Sequence, residues 1–155
     1  MNPTSRPAIP KTIVTSTARA ADGNSGSLKD LATDFPSTGN VGITFNVTAY
    51  TVDASMLASG TRFFVDTSPD NGTTWVPVWV SATVTGSTSI RTVLFKNGRL
   101  SSVTDIDEFK TAHDATTTTS QIATQFPLSR DKRIRWQLTA NNVVTFAAYG
   151  FSQPE

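Results

Sequence analysis

Residues 61–80 read TRFFVDTSPDNGTTWVPVWV, and this stretch decides the fold. Two runs rich in β-branched and aromatic residues, Thr61 to Thr67 and Thr74 to Val80, flank Ser68-Pro69-Asp70-Asn71-Gly72. Val, Thr, Phe and Trp suit a pleated, half-buried surface. Asn and Gly tolerate the positive φ that a tight turn requires. The stretch therefore predicts a β-hairpin. Pro77 adds a constraint, because proline has no amide to give to a ladder; the second strand lies at a sheet edge or is bulged there. By alternation, Trp75, Pro77 and Trp79 share one side of this strand, and Val76, Val78 and Val80 share the other. Both faces are apolar. One is expected on the core, and the other is left for a partner protein or for a covering loop.

Upstream, Val41 to Tyr50 (VGITFNVTAY) has period two. Val41, Ile43, Phe45, Val47 and Ala49 fall on one face, with Gly42, Thr44, Asn46 and Thr48 opposite. Lys11 to Thr17 predicts a short first strand, Ala18 to Ser27 a loop, and Ser27 to Leu31 one helical turn. Downstream, Ile90 to Phe95 predicts a strand ending in the turn signal Asn97-Gly98. Leu100 to Gln121 loses periodicity and reads as a long loop around 100–121, with a helical turn near Ile106 to Thr111. Ile122 to Leu128 is read as a further strand. In Lys132 to Thr139 (KRIRWQLT), Ile134, Trp136 and Leu138 face inward, and Arg133, Arg135 and Gln137 face outward. A turn at Ala140 to Asn142 leads into Val143 to Gly150, which closes a last hairpin. Roughly seven or eight strands with frequent turns predict an all-β fold, an antiparallel β-sandwich that is Ig-like or jelly-roll-like.

A chain of 155 residues fits one domain. Pro3, Pro7 and Pro10 forbid helix in the first eleven residues and favour extended chain. Residues 1–11 are therefore read as an extended N-terminal arm and 12–155 as a single sandwich domain. The arm is either a disordered terminus or a segment lying along a neighbouring subunit, with Arg6 and Lys11 as contact points.

The composition removes several function classes. There is no cysteine, which excludes disulfides and thiolate metal sites. Lys+Arg 13 against Asp+Glu 12 leaves a net charge of +1, so no general electrostatic case exists for nucleic acid or an anionic membrane. Only 16% of residues are charged, below the roughly 25% of ordinary domains, and Ser and Thr fill the gap. Such a surface packs against copies of itself with little charge repulsion. No apolar run approaches the roughly 20 residues that span a bilayer. Met1 to Ala20 lacks the apolar core of a secretory signal, so the chain is expected to remain where it is made.

No set of residues assembles into a catalytic, cofactor or metal site. His113 is the single histidine, beside Asp114 in the aperiodic stretch, and no G-x-S-x-G elbow occurs. Asp105, Asp107 and Glu108 lack the glycine and distal glutamate of a calcium loop. Asp66 and Asp70 flank the hairpin turn, where they are expected to support turn hydrogen bonds rather than acid–base work. Arg130, Lys132, Arg133 and Arg135 form the densest positive cluster. Without interleaved exposed aromatics they suggest a solvated face or a salt-bridged protein interface rather than a nucleic-acid site. Trp75, Trp79 and Trp136 at strand periodicity are expected in the core rather than stacked on sugars.

The segment Val65-Asp66-Thr67-Ser68-Pro69-Asp70-Asn71-Gly72-Thr73-Thr74-Trp75-Val76 resembles the S-x-D-G-G-T-T-W hairpin of small tailed-phage virion proteins. Phe45-Asn46-Val47-Thr48-Ala49 looks like that family's V-T-A strand. Phe126-Pro127-Leu128-Ser129-Arg130 and Arg133 to Ala140 are similar to its closing segment. Arg19-Ala20-Ala21-Asp22-Gly23 through Leu31 adds a fourth similar stretch, whereas Leu100 to Gln121 departs from the pattern. The resemblance implies a non-enzymatic virion protein of the capsid decoration (cement) kind. Its implied partner is the major capsid protein, and it is expected to form a homo-oligomer, a dimer or trimer. Neither nucleic acid nor membrane is an expected partner, and the expected location is the virion, after assembly in the host cytoplasm. Arg6, Pro7, Ile9, Lys11, Arg133 and Arg135 are the candidate partner-binding residues. A tail or neck component is the alternative within the family. A carbohydrate-binding module using Trp75 or Trp79 is the alternative outside it.

Overall fold

The computed structural model describes residues 9–29, 40–51, 61–81, 83–84, 89–96, 99–102, 106–108, 120–122, 128–138 and 142–153. In chain order the strands are β1 (Ile9–Arg19), β2 (Gly23–Asn24), β3 (Asn40–Thr51), β4 (Thr61–Ser68), β5 (Val76–Val80) and β6 (Ser89–Lys96). They continue with β7 (Arg99–Ser102), β8 (Ile106–Glu108), β9 (Ser120–Ile122), β10 (Asp131–Leu138) and β11 (Val143–Gln153). One sheet runs β1-β11-β3-β6-β7 and the other β2-β10-β4-β5-β9-β8. All pairings are antiparallel except the short parallel contact of β8 with β9. The two sheets pack as a β-sandwich, and the described residues contain no helix.

Five aromatic rings pass back and forth between the sheets and tie them together. Trp79 on β5 lies parallel to Phe45 on β3, ring centroids 5.8 Å apart. Phe45 stacks on Phe63 of β4 at 4.7 Å. Phe63 meets the edge of Phe146 on β11 at 4.9 Å, and Phe146 meets Trp136 of β10 at 5.2 Å. Consecutive members of this series come from opposite sheets. Val41, Ile43, Val47, Val65, Val78, Val93, Ile134 and Val144 fill the space around them. Stacked and edge-on pairs add about 0.5–1.5 kcal/mol each beyond the area they bury.

Arg19, the last residue of β1, closes one end of this series. Its guanidinium stands 4.9 Å from both the Trp136 and the Phe146 ring centroids. It also donates to the carbonyls of Thr15 and Thr17. Trp136 is also held by Nε1 donating to Ala21 O at 3.2 Å. Gly23 pairs with Trp136 across β2 and β10, and a Cβ there would stand 2.7 Å from Trp136 Cε2. The glycine is required because the ring lies flush against the backbone.

Bulges explain where strict alternation fails. Trp79 pairs with Val65 and Pro77 with Asp66, leaving Val78 as an extra residue. Val78 and Trp79 consequently both point to the core, and Trp75 and Pro77 lie on the outer side. The expectation that Trp75 and Trp79 share a face is thus corrected, and the expected bulge at Pro77 is found. On β3, Thr48 is the extra residue opposite β11. Ala49, expected inside, is exposed, and Tyr50 packs on the core in its place.

Other expectations move as well. β1 begins at Ile9, so Ile9, Pro10 and Lys11 pair with Ser152, Phe151 and Gly150 instead of belonging to an arm. Residues 1–8 lie outside the described residues. Within the expected long loop around 100–121, residues 100–102, 106–108 and 120–121 are strand, which replaces the helical turn at Ile106. Leu28, expected in a helical turn, exchanges backbone hydrogen bonds with Lys132. β10 and β11 lie in different sheets, so the last connection crosses the sandwich and closes no hairpin. The signal Asn97-Gly98 falls outside the described residues, between the paired Lys96 and Arg99.

Adding one methyl group at Gly23 is predicted to lower stability by roughly 1–3 kcal/mol by overpacking. Urea unfolding of Gly23→Ala measures this, and an unchanged midpoint would contradict the placement of Trp136.

Candidate functional site

Among the described residues, the outer face of the second sheet brings charged and aromatic side chains into one cluster. On β4, Arg62, Phe64 and Asp66 alternate outward while Phe63 and Val65 face the core. The antiparallel register sets Arg133 opposite Asp66, Arg135 opposite Phe64 and Gln137 opposite Arg62. The β5 bulge brings Trp75 to the same face.

Asp66 is 1% exposed and accepts from both arginines. Arg133 Nε and Arg135 Nε each donate to Oδ2 at 2.9 Å, and Arg135 Nη2 donates to Oδ1 at 3.3 Å. Each guanidinium also lies on a ring: Arg133 is 4.4 Å from the Trp75 centroid, and Arg135 is 3.7 Å from that of Phe64. A buried carboxylate without a counter-charge is costly. Two donors on one oxygen satisfy it and fix both planar groups.

A second network rigidifies the adjacent end of the sheet. Asn71 has φ 56° and Gly72 φ 89°, the left-handed pair expected of the Asn-Gly turn. Ser68 Oγ accepts from the Gly72 amide at 2.7 Å and donates to Asp70 Oδ1 at 3.0 Å. The Thr74 amide donates to Asp70 Oδ1 at 2.6 Å. Ser129 joins the turn to the start of β10. It exchanges bonds with the Thr67 hydroxyl at 2.6 and 2.7 Å and donates to Asp131 O at 2.6 Å. Asp131 in turn accepts from Ser27 Oγ at 2.7 Å. Of the two aspartates expected to support the turn, Asp70 does so and Asp66 pairs with the arginines instead.

The candidate partner-binding residues do not converge. Arg6 and Pro7 lie outside the described residues. Ile9 and Lys11 are in β1, at the edge of the first sheet, whereas Arg133 and Arg135 stand on the outer face of the second. Asp66, Phe64 and Trp75 complete the arginine cluster and were not anticipated in it. The outward parity of Arg133 and Arg135 was readable, but their alignment with Asp66 depends on β10 pairing with β4. Trp79 is buried in the core, and one face of Trp75 is occupied by Arg133. Among the described residues, no group of three or more His, Asp or Glu side chains is placed to hold a metal ion. Comparison with family models, curated proteins and solved structures found no match.

Two outcomes follow. Asp66→Ala leaves two guanidinium groups without their shared acceptor; because both are partly solvated, the expected loss is roughly 1–3 kcal/mol by chemical denaturation. An unchanged stability would mean that water replaces the carboxylate at no cost. The Asp70 carboxyl is held below its ordinary range, first by the Thr74 hydroxyl and amide and then by Ser68. A depressed carboxyl stabilises the turn above the unfolded-state pKa, and that contribution disappears as pH falls through the folded value. NMR titration should therefore show Asp70 titrating below a free aspartate, with the Thr74 amide moving in the same transition. Titration at the ordinary value would contradict the turn geometry.

Proposed function

We propose that this chain is a non-enzymatic structural protein of a tailed-phage particle, a capsid decoration protein that docks on the outer surface of the major-capsid-protein shell and stabilises it. One observation carries the reading: three separate stretches that resemble phage virion proteins assemble into one rigid unit around β10. The hairpin stretch supplies the end of β4, the turn and Trp75, which meet β10 through the Asp66–arginine cluster. The stretch 128–130 is tied to that turn through Ser129. The described part of the Arg19 to Leu31 stretch runs along the other side of β10, with contacts from Asp22 to Leu28. There the Ser25 amide donates to Ile134 O, Gly23 pairs with Trp136, and Asp22 Oδ1 accepts from the Leu138 amide.

A decoration protein occupies the same lattice site many times. A body whose docking groups are fixed before contact loses less freedom on binding. Repeated engagement raises effective concentration, so each copy need bind only modestly.

Quantitative mass spectrometry of purified particles tests the reading. A copy number that scales with the shell's capsomers is expected. A number matching the ring symmetry of a tail or neck moves the protein there, and absence from particles overturns the proposal. The N-terminal arm is tested by deleting residues 2–8, which spares the β1 pairing. The expected result is a cooperative unfolding transition like that of the full chain with lower occupancy on particles, whereas unchanged occupancy removes the arm from the interface.

A further inference from the structure

We propose that Arg133 and Arg135 form a preorganised clamp for a carboxylate side chain on a partner protein. The identity of that partner as a shell protein rests on the reading above, but the chemistry of the clamp does not.

Each guanidinium is immobilised on two sides. Asp66 takes the Nε edge of both, and an aromatic ring covers one face of each. Among the described residues, Nη1 and Nη2 of Arg133 and Nη1 of Arg135 have no protein acceptor. None of these nitrogens is among the buried polar atoms left without a partner, and the side chains are 21% and 27% exposed, so the groups reach solvent. Charge also favours an anion. Arg133 and Arg135 share this face with Asp66, so the cluster sets two positive groups against one negative. Asp131, at the end of the same strand, is engaged by Ser27 and lies 3.8 Å from Lys29 Nζ.

The arrangement has the attributes of a recognition site rather than a neutral surface pair. An isolated surface arginine loses considerable side-chain freedom on binding. Here that freedom is already removed inside the folded chain, so a carboxylate meets fixed donors. Planar N–H forks match the two oxygens of a carboxylate. A nucleic acid is the less favoured anion: the chain's net charge of +1 provides no extended basic track, and the Trp75 face turned toward Arg133 is not open for a base.

The test uses the full chain, labelled for detection of arginine side-chain and Trp75 indole resonances. Glutarate, inorganic phosphate and a short oligothymidylate are titrated separately, each against sodium chloride at matched ionic strength. The expected result is a saturable shift of the Arg133, Arg135 and Trp75 signals with glutarate. Arg133→Gln should weaken that response roughly tenfold while Asp66 keeps its bond to Arg135, as expected for loss of a charge-assisted pair. Arg133→Lys separates shape from charge: it should recover less than half of the response, because an ammonium lacks the fork. Shifts no larger than those with chloride, or a response to phosphate or oligonucleotide without one to glutarate, would overturn the clamp. Failure of the chain to occupy particles, with the glutarate response intact, would count against the virion reading alone.

Discussion

The alternation of aromatic rings between the two sheets is the constraint on which the rest of the structure depends. Trp79, Phe45, Phe63, Phe146 and Trp136 come from five different strands, and each touches a ring from the opposite sheet. A sandwich without disulfides relies on its core to join the two sheets, and large flat side chains supply more buried area per residue than any others. Ring-on-ring contact also fixes register, since sliding one strand by a residue would turn its ring out to solvent.

That register propagates outward. Holding Phe63 and Val65 inward obliges Arg62, Phe64 and Asp66 to face out. Holding Ile134 and Trp136 inward does the same for Arg133 and Arg135. The two sets meet because β10 and β4 are neighbours, and the salt-bridged cluster is therefore the reverse side of the aromatic core. The bulge at Val78 serves both faces. It lets Trp79 join the core and leaves Trp75 outside, under Arg133.

The fold class was legible because period-two patterns and turn formers are local. Val41 to Val47 and the Asp70-Asn71-Gly72 turn behave as their residues dictate. The failures are equally local in cause. A single extra residue at Thr48 exchanges Ala49 for Tyr50, and another at Val78 separates Trp75 from Trp79; neither insertion leaves a mark in composition. Ser120 to Ile122 and Ile106 to Glu108 are too short for periodicity to register, and they are strands because neighbouring chain pairs with them. The arginine cluster was half legible. Parity gave Arg133 and Arg135, but Asp66 joined them only through a pairing between strands 67 and 69 residues apart in sequence.

A double-mutant cycle between Phe45 and Phe63, using Phe→Leu at each site and chemical denaturation, tests the central claim most directly. If the rings are the contact that joins the sheets, the double variant should lose less than the sum of the singles, with a coupling of about 1 kcal/mol. Strictly additive losses would show that the two rings are buried independently and that the sheets are held together by something else.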